Sequence, residues 1–195
     1  NPLIKDEVKL TVGGRALRLV LGEDEKLAES DVFYTKTFGV IVTDSSGNPS
    51  GGKKVNFAIS PLNYYKGRAV GCGGTAADGT VIKRWSYAAG SSASAIENPP
   101  VKCPNEDLDK DGWLDLPNED TNNNGTLEPT HAATVTSGGV TDANGKTTVT
   151  VTYPQSEALW SEVRLTATIQ DSGTEFIEST DFVLPMLASD ASNCD

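Results

Sequence analysis

Two acidic segments carry the residue types and the spacing best suited to chemistry. They are residues 107–115 (DLDKDGWLD), here called loop 1, and residues 120–128 (DTNNNGTLE), here called loop 2. Both fit the pattern D-x-[DN]-x-[DN]-G-x-L-[DE], and the second copy follows the first at an offset of 13 residues. Oxygen-bearing side chains at alternate positions, followed by a glycine that permits a sharp turn, suit a hard divalent cation. The pattern predicts a calcium-binding loop pair that holds one or two ions.

The predicted ligands are side-chain oxygens at loop positions 1, 3, 5 and 9 and the backbone carbonyl at position 7. In loop 1 these residues are Asp107, Asp109, Asp111, Trp113 (through its carbonyl) and Asp115. In loop 2 they are Asp120, Asn122, Asn124, Thr126 (through its carbonyl) and Glu128. Glu119 is a further carboxylate close enough in sequence to complete a coordination shell.

The closing position distinguishes these loops from an EF-hand, which has a bidentate Glu at position 12. Asn118 and His131 occupy that position here, so the pattern alone does not identify the carboxylate that closes each coordination shell. Two tandem copies without flanking helices resemble the calcium repeats of thrombospondin type 3 and of dockerins. The resemblance implies calcium as the cofactor. Leu114 and Leu127 stand at the apolar position that anchors such loops, and magnesium is less suited because it prefers fewer protein oxygens and stricter geometry.

Two other interpretations of these acidic residues compete with a cation site. Residues 105–128 contain eight acidic side chains and one lysine, so the segment could be a solvated acidic loop. Random acidity does not place both glycines and both leucines in register, which favours a cation site. A glycosidase needs two carboxylates that face one sugar from a rigid scaffold, whereas carboxylates at alternate positions of a loop suit cation ligation better.

Composition argues against several classes of function. The net charge is −11, which disfavours nucleic acid and anionic membrane surfaces as partners. His131 is the single histidine, and no C-x-x-C motif occurs, so histidine-based catalysis, zinc binding and dithiol redox chemistry lack support. No apolar run approaches the roughly 18 residues of a membrane span. We therefore expect a non-catalytic protein that does not insert directly into a membrane.

The remaining sequence predicts an all-β fold, an immunoglobulin-like antiparallel β-sandwich with a long, loop-rich, calcium-binding insertion. Alternating apolar and polar residues predict strands at 15–21, 32–43, 53–59, 133–137, 146–153, 161–170 and 174–184. Residues 7–12 predict a further strand, and residues 155–161 at most one turn of helix. We expect one domain over 1–195, with sandwich strands at 7–59 and 133–185, the insertion at 60–132, and a tail or linker at 186–195.

Three segments of the predicted sandwich resemble a known family. Residues 40–49 (VIVTDSSGNP) with 55–57 (VNF), 141–152 (TDANGKTTVTVT), and 165–169 (LTATI) are similar to the signatures of bacterial Ig-like domains of the intimin/invasin type. The resemblance implies a non-catalytic stalk or adhesion unit of a bacterial surface or exported protein. It also implies neighbouring Ig-like domains of the same polypeptide as partners. The implied location is extracellular or at the cell surface, on a parent protein attached to the outer membrane, with the periplasm as the alternative. The chain begins at Asn1, and we expect it to be a piece of a longer protein.

The first half of the insertion holds cysteines and aromatic residues. We expect a disulfide between Cys72 and Cys103, which would constrain a segment with little core, and we expect Cys194 to be left over. The aromatic residues are Tyr64, Tyr65, Trp85 and Tyr87. They form either a small satellite core under the insertion or an exposed platform that binds a carbohydrate or a host receptor.

Overall fold

The computed structural model describes residues 17–75, 81–88, 101–136 and 138–190, with the backbone alone at 24–25, 68–75, 81–88 and 188. The strand predicted at 7–12 and the leftover Cys194 lie outside the described residues. The strands of the described part are β1 (Arg18–Ser30), β2 (Phe33–Thr43), β3 (Lys54–Lys66), β4 (Arg68–Thr75), β5 (Val81–Ala88), β6 (Val101–Pro104), β7 (Thr134–Val135), β8 (Gly139–Val140), β9 (Lys146–Pro154), β10 (Ser161–Asp171) and β11 (Thr174–Val183). Two single-turn 3₁₀ helices span Gln155–Glu157 and Ala188–Asp190.

The strands form two antiparallel sheets that pack together as a sandwich. One sheet has the order β1-β2-β9-β7, and the other has the order β11-β10-β3-β6, with β8 paired to the start of β3. Strands β4 and β5 form a separate hairpin. The first order corresponds to strands A-B-E-D of a constant-type immunoglobulin domain, and β11-β10-β3 corresponds to G-F-C. The all-β sandwich prediction is confirmed, and its strand order fits an immunoglobulin-like fold.

The hydrophobic core lies between the two sheets and is built from alternate residues of the central strands. β2 and β9 contribute from one sheet, and β3 and β10 contribute from the other. The most buried aliphatic and aromatic side chains are Tyr34, Phe38, Val40, Val42, Val55, Val149, Val151, Tyr153, Val163, Leu165, Ala167 and Ile169. Burying each large side chain of this kind contributes roughly 1.5–3 kcal/mol, so the apolar alternation read from the sequence accounts for the stability of the sandwich.

Two of the segments that resemble the intimin/invasin signatures, residues 40–49 and 141–152, form matching turns at one end of the sandwich. The Oδ1 atom of Asp44 accepts the backbone N–H groups two and four residues later, both at 2.9 Å. Asp142 does the same at 2.9 and 2.8 Å. Gly145 has φ = 70°, and a Cβ there would lie 2.3 Å from the carbonyl oxygen of Val42, so only glycine fits. The amide of Val42 in turn donates to Gly145 at 2.8 Å, which joins the two segments.

The insertion begins later than predicted, because β3 runs to Lys66 and does not end at residue 59. Residues 60–66 lack apolar alternation, but they pair with β10 on one side and with β6 on the other. Hydrogen bonding to two neighbours therefore prolongs the strand beyond what its pattern indicates. The extended end of β3 connects the insertion to the sandwich. In the predicted tail, Met186 and Leu187 pack against the core.

The predicted disulfide between Cys72 and Cys103 is not formed. Cys103 carries a free thiol and lies on β6, where it pairs with Tyr64 of β3. Cys72 lies on β4 and pairs with Arg84 in the separate β4–β5 hairpin. Strand pairing thus assigns the two cysteines to different sheets. The segment after Pro104 is instead held by the carboxylate-centred hydrogen bonds described below.

Candidate metal site

The loop pair follows directly from the end of β6 and lies against the extended end of β3. Tyr64 of β3 is buried beneath it, and the amide of Asn105 donates to the carbonyl oxygen of Pro61 at 3.2 Å. The ammonium of Lys66 lies 3.8 Å from a carboxylate oxygen of Glu128. These contacts fix both loops to the rigid edge of the second sheet.

Both loops fold around the carboxylate at position 1. In loop 1, Asp107 is 2% exposed and accepts the backbone N–H groups of Asp111 and Gly112 at 3.2 and 3.0 Å. In loop 2, Asp120 accepts the two corresponding N–H groups at 2.8 Å each. The glycine at position 6 has a φ of 81° in loop 1 and 82° in loop 2. The sequence repeat is therefore a structural repeat, and glycine is required at position 6 by its left-handed backbone.

The structure brings the predicted carboxylates of loop 1 together. One carboxylate oxygen from each of Asp107, Asp109 and Glu119 lies within 4.8 Å of the others, and Asp109, Asp111 and Asp115 form a second such group. Asp109 belongs to both groups. Desolvation and the negative charges of the neighbouring carboxylates raise the pKa of Asp109 above its ordinary value. Five carboxylates gathered in this way are suited to hold a metal ion.

Glu119 completes loop 1 in place of a residue at position 12. It is 4% exposed, and its Oε1 and Oε2 atoms accept the backbone N–H groups of Leu108 and Asp115 at 2.8 and 2.9 Å. Asn118, which stands at position 12, is exposed. The closing carboxylate of loop 1 thus comes from the residue that precedes loop 2.

Loop 2 brings together three of its predicted ligands, Asn122, Asn124 and Glu128, and amides replace two of the carboxylates. The side-chain amide of Asn122 donates to Glu128 Oε2 at 2.8 Å, and that of Asn124 donates to Glu128 Oε1 at 3.2 Å. An amide carries an acceptor oxygen as well as its NH₂ group, so both asparagines can also present oxygen to a cation. Loop 2 therefore offers less negative charge than loop 1.

Glu106 belongs to this centre, although the sequence reasoning did not select it. It is 1% exposed, and its Oε1 atom accepts hydrogen bonds from Tyr64 Oη, Thr121 Oγ1 and Asn122 Nδ2 at 3.1, 2.8 and 2.7 Å. Its Oε2 atom is buried and has no hydrogen-bond partner among the described residues. The signal was available, because a Glu-Asp pair opens both copies of the repeat: Glu106 precedes loop 1 as Glu119 precedes loop 2.

Two predicted carbonyl ligands and the residue at position 12 of loop 2 have distinct surroundings. His131 does not close loop 2, because its Nε2 atom lies 3.3 Å from Oδ2 of Asp107 in loop 1. The Trp113 side chain is 75% exposed, and its backbone N–H donates to Asp111 at 2.8 Å. Thr126 donates in the same way to Asn124 at 2.9 Å. The carbonyl ligands at Trp113 and Thr126 stay predictions.

Of the four aromatic residues, the two whose side chains the structure describes, Tyr64 and Tyr65, have different environments. Tyr64 is buried, and desolvation and its hydrogen bond to Glu106 raise the pKa of its hydroxyl. Tyr65 is half-buried and lines a groove of about 250 Å³ together with Trp160 and Glu157. The side chains of Trp85 and Tyr87 lie outside the description. Tyr64 thus supports the loop pair from below, as the satellite-core interpretation expects, and Tyr65 faces the groove.

Comparison of the chain with family models, with curated proteins and with solved structures finds no significant match. Among the residues that the structure describes, no helix has the length and apolar character needed to span a membrane. The fold and the carboxylate centre therefore carry the functional argument.

Proposed function

We propose that this protein is a non-catalytic, immunoglobulin-like module whose loop pair binds calcium, and that it serves as a stalk or adhesion unit of an exported bacterial surface protein. The observation that carries the proposal is the gathering of Asp107, Asp109, Asp111, Asp115 and Glu119 into two overlapping groups of carboxylate oxygens. Calcium takes six to eight oxygen ligands in flexible geometry. Such a donor set suits calcium better than magnesium, and it lacks the nitrogen and sulfur ligands that zinc favours.

The stalk or adhesion role is supported by the sandwich and by its two interlocked turns. The A-B-E-D and G-F-C strand order is that of immunoglobulin-like domains, which many cell-surface proteins contain. The segments that resemble the intimin/invasin type meet at one end of the sandwich through the pairing of Val42 and Gly145. A calcium-stiffened insertion on such a module would set its contact with a neighbouring domain. An extracellular location would supply the millimolar calcium at which such modules are saturated.

Titration calorimetry tests the calcium proposal directly. The protein should bind calcium with measurable heat and bind magnesium much more weakly. The double variant Asp109→Asn/Asp111→Asn should lose the loop 1 ion, because it removes Asp109, the carboxylate shared by the two groups, together with Asp111 of the second group. Glu175→Gln/Glu178→Gln, a double variant at exposed β11 positions that also removes two carboxylates, is the matched control and should bind like the wild type. Equal calcium binding by the loop variant would refute the assignment of the ligands.

A second candidate function is carbohydrate or receptor binding through aromatic residues in the insertion and beside it. The groove lined by Tyr65 and Trp160 favours it, because aromatic faces beside the charged Lys66 and Glu157 can stack and hydrogen-bond to sugar rings. A glycan array with the wild type and with Tyr65→Ala, Trp160→Ala and Trp85→Ala variants tests this function. Binding that these variants abolish would support it. No bound glycan for the wild type would leave the stalk role as the stronger account.

A further inference from the structure

The loop pair contains a reciprocal arrangement that its tandem order in the sequence hides. The backbone N–H of Glu119 donates to the carbonyl of Asp115 at 3.2 Å. The corresponding N–H of Glu106 donates to the carbonyl of Glu128, at the far end of loop 2, at 2.9 Å. Each glutamate therefore precedes one loop and is joined through its main chain to the last residue of the other.

The side chains repeat this exchange. Glu119 Oε1 accepts from Leu108, the second residue of loop 1, at 2.8 Å. Glu106 Oε1 accepts from the side-chain hydroxyl of Thr121, the second residue of loop 2, at 2.8 Å, where Glu119 accepts a backbone N–H. Glu119 also belongs to the carboxylate group with Asp107 and Asp109. Glu106 correspondingly accepts from Asn122, the loop 2 residue at the position of Asp109.

An asymmetry between the two glutamates indicates a ligand. Both oxygens of Glu119 are paired with backbone N–H groups, whereas Oε2 of Glu106 is buried without a hydrogen-bond partner in the described structure. A buried carboxylate oxygen without a hydrogen bond is destabilising and is rare in folded proteins. The other oxygen of this carboxylate, Oε1, lies 2.7 Å from the Asn122 amide, which also bonds Glu128, so the carboxylate borders loop 2. A hard cation bound there would satisfy Oε2.

We propose that Glu106 is a metal ligand and that it closes a second divalent-cation site in loop 2, as Glu119 closes the site in loop 1. The second site consists of Glu106, Asp120, Asn122, Asn124 and Glu128. This inference rests on the proposed calcium function and adds a ligand and a stoichiometry to it. Three carboxylates and two amides give loop 2 less charge than the five carboxylates of loop 1, so its ion binds more weakly.

Calorimetric titration with calcium chloride tests the proposal on the wild type, Glu106→Gln and Glu119→Gln. The wild type should bind two ions. Glu106→Gln should lose the weaker ion or bind it at least about tenfold more weakly, and Glu119→Gln should weaken the tighter one. Melting temperatures in excess chelator measure the structural cost of each substitution in the absence of metal. If Glu106 were only a hydrogen-bond acceptor, Glu106→Gln would leave the ion count at two.

Asn122→Asp is a second variant that keeps the test decisive if Glu106→Gln does not fold. The added carboxylate copies Asp109 of loop 1, so it should tighten the weaker site by about tenfold in the presence of Glu106. A wild type that binds one ion, or variants that leave the weaker site unchanged, would overturn the second site and leave the calcium function standing. A wild type that binds no ion would overturn the calcium function itself.

Discussion

The sandwich and the loop pair are stabilised by different physical means. Between the sheets, Phe38, Val151 and Leu165 are fully buried among other apolar side chains. In the loop pair the most buried side chains are carboxylates, with Glu106, Asp107, Glu119 and Asp120 all 7% exposed or less. Two large apolar residues of loop 1, Leu108 and Trp113, are exposed instead.

This contrast shows where each region obtains its order. Apolar burial needs no ligand, so the sandwich keeps its structure in any solvent that sustains the hydrophobic effect. The loop pair gathers like charges around hydrogen-bonded backbone, and those charges repel one another unless a cation compensates them. Core mutation should therefore mainly destabilise the sandwich, and calcium removal should mainly disturb the loop pair.

The largest effect should come from a cavity in the sandwich. Leu165→Ala removes a fully buried side chain of β10 and should lower the free energy of unfolding by about 2–5 kcal/mol. Urea denaturation should give the same loss in calcium and in chelator, because the cavity is remote from the loops. Leu108→Ala is the matched control on an exposed leucine and should cost under about 0.5 kcal/mol. A loss for Leu165→Ala that depends on calcium would contradict the separation of the two regions.

The next effect is local and requires only metal removal. Chelator should accelerate amide hydrogen exchange at Gly112 and Gly125, whose N–H groups donate to the position 1 carboxylates, by about tenfold or more. In chelator, the Gly112 and Gly125 amides should exchange much faster than the amides of β10, which stay protected by the folded sandwich. Exchange measured by NMR or mass spectrometry distinguishes the regions. Equally fast exchange in β10 would show that the sandwich does not stay folded without calcium.

A smaller effect should appear at the junction of the two regions. Tyr64→Phe removes the hydroxyl that donates to Glu106 and should cost about 0.5–1.5 kcal/mol of unfolding free energy. In a Glu106→Gln background the cost should be smaller, because the acceptor is no longer a carboxylate. A double-mutant cycle by urea denaturation measures this coupling. Strict additivity would mean that Tyr64 supports the loops by packing alone.

The smallest effect concerns an ion pair on the exposed face of the second sheet. Two hydrogen bonds of 2.7 Å from Arg164 lower the pKa of Asp181 below its ordinary value. A lowered pKa in the folded state stabilises the protein above the unfolded pKa of about 3.9, and the contribution is lost as the pH falls through the folded value. Asp181→Asn should therefore lower the melting temperature slightly at neutral pH and not in strong acid. A difference that grows in acid would contradict this sign.

The sequence could predict the parts of the molecule that depend on local pattern. Alternation places Val149, Val151 and Tyr153 on the core face, and all three are buried. The 13-residue repeat similarly predicts that Asp107 and Asp120 share one loop geometry, which their matching hydrogen bonds confirm. In both cases the relevant neighbours are close in sequence.

The errors concern contacts that only the tertiary structure creates. The prolongation of β3 to Lys66 depends on pairing with β6, 35 or more residues later in the chain. Cys103 pairs through β6 with the same end of β3 and keeps a free thiol, so the expected disulfide with Cys72 does not form. Glu106 was overlooked because its partners in loop 2 lie 15 and 16 residues away, beyond the span of a single-loop motif. A comparison that extended the repeat by one residue would have selected it.

The most direct test is thermal unfolding of the wild-type protein in excess calcium and in excess chelator. At about a hundred times the dissociation constant, each ion should add about 2.7 kcal/mol to the stability of the metal-bound state. For a chain of this size that corresponds to a rise in melting temperature of roughly 5–10 °C per ion. An identical melting temperature in both buffers, together with no heat of calcium binding, would contradict the claim that the loop pair is a metal site.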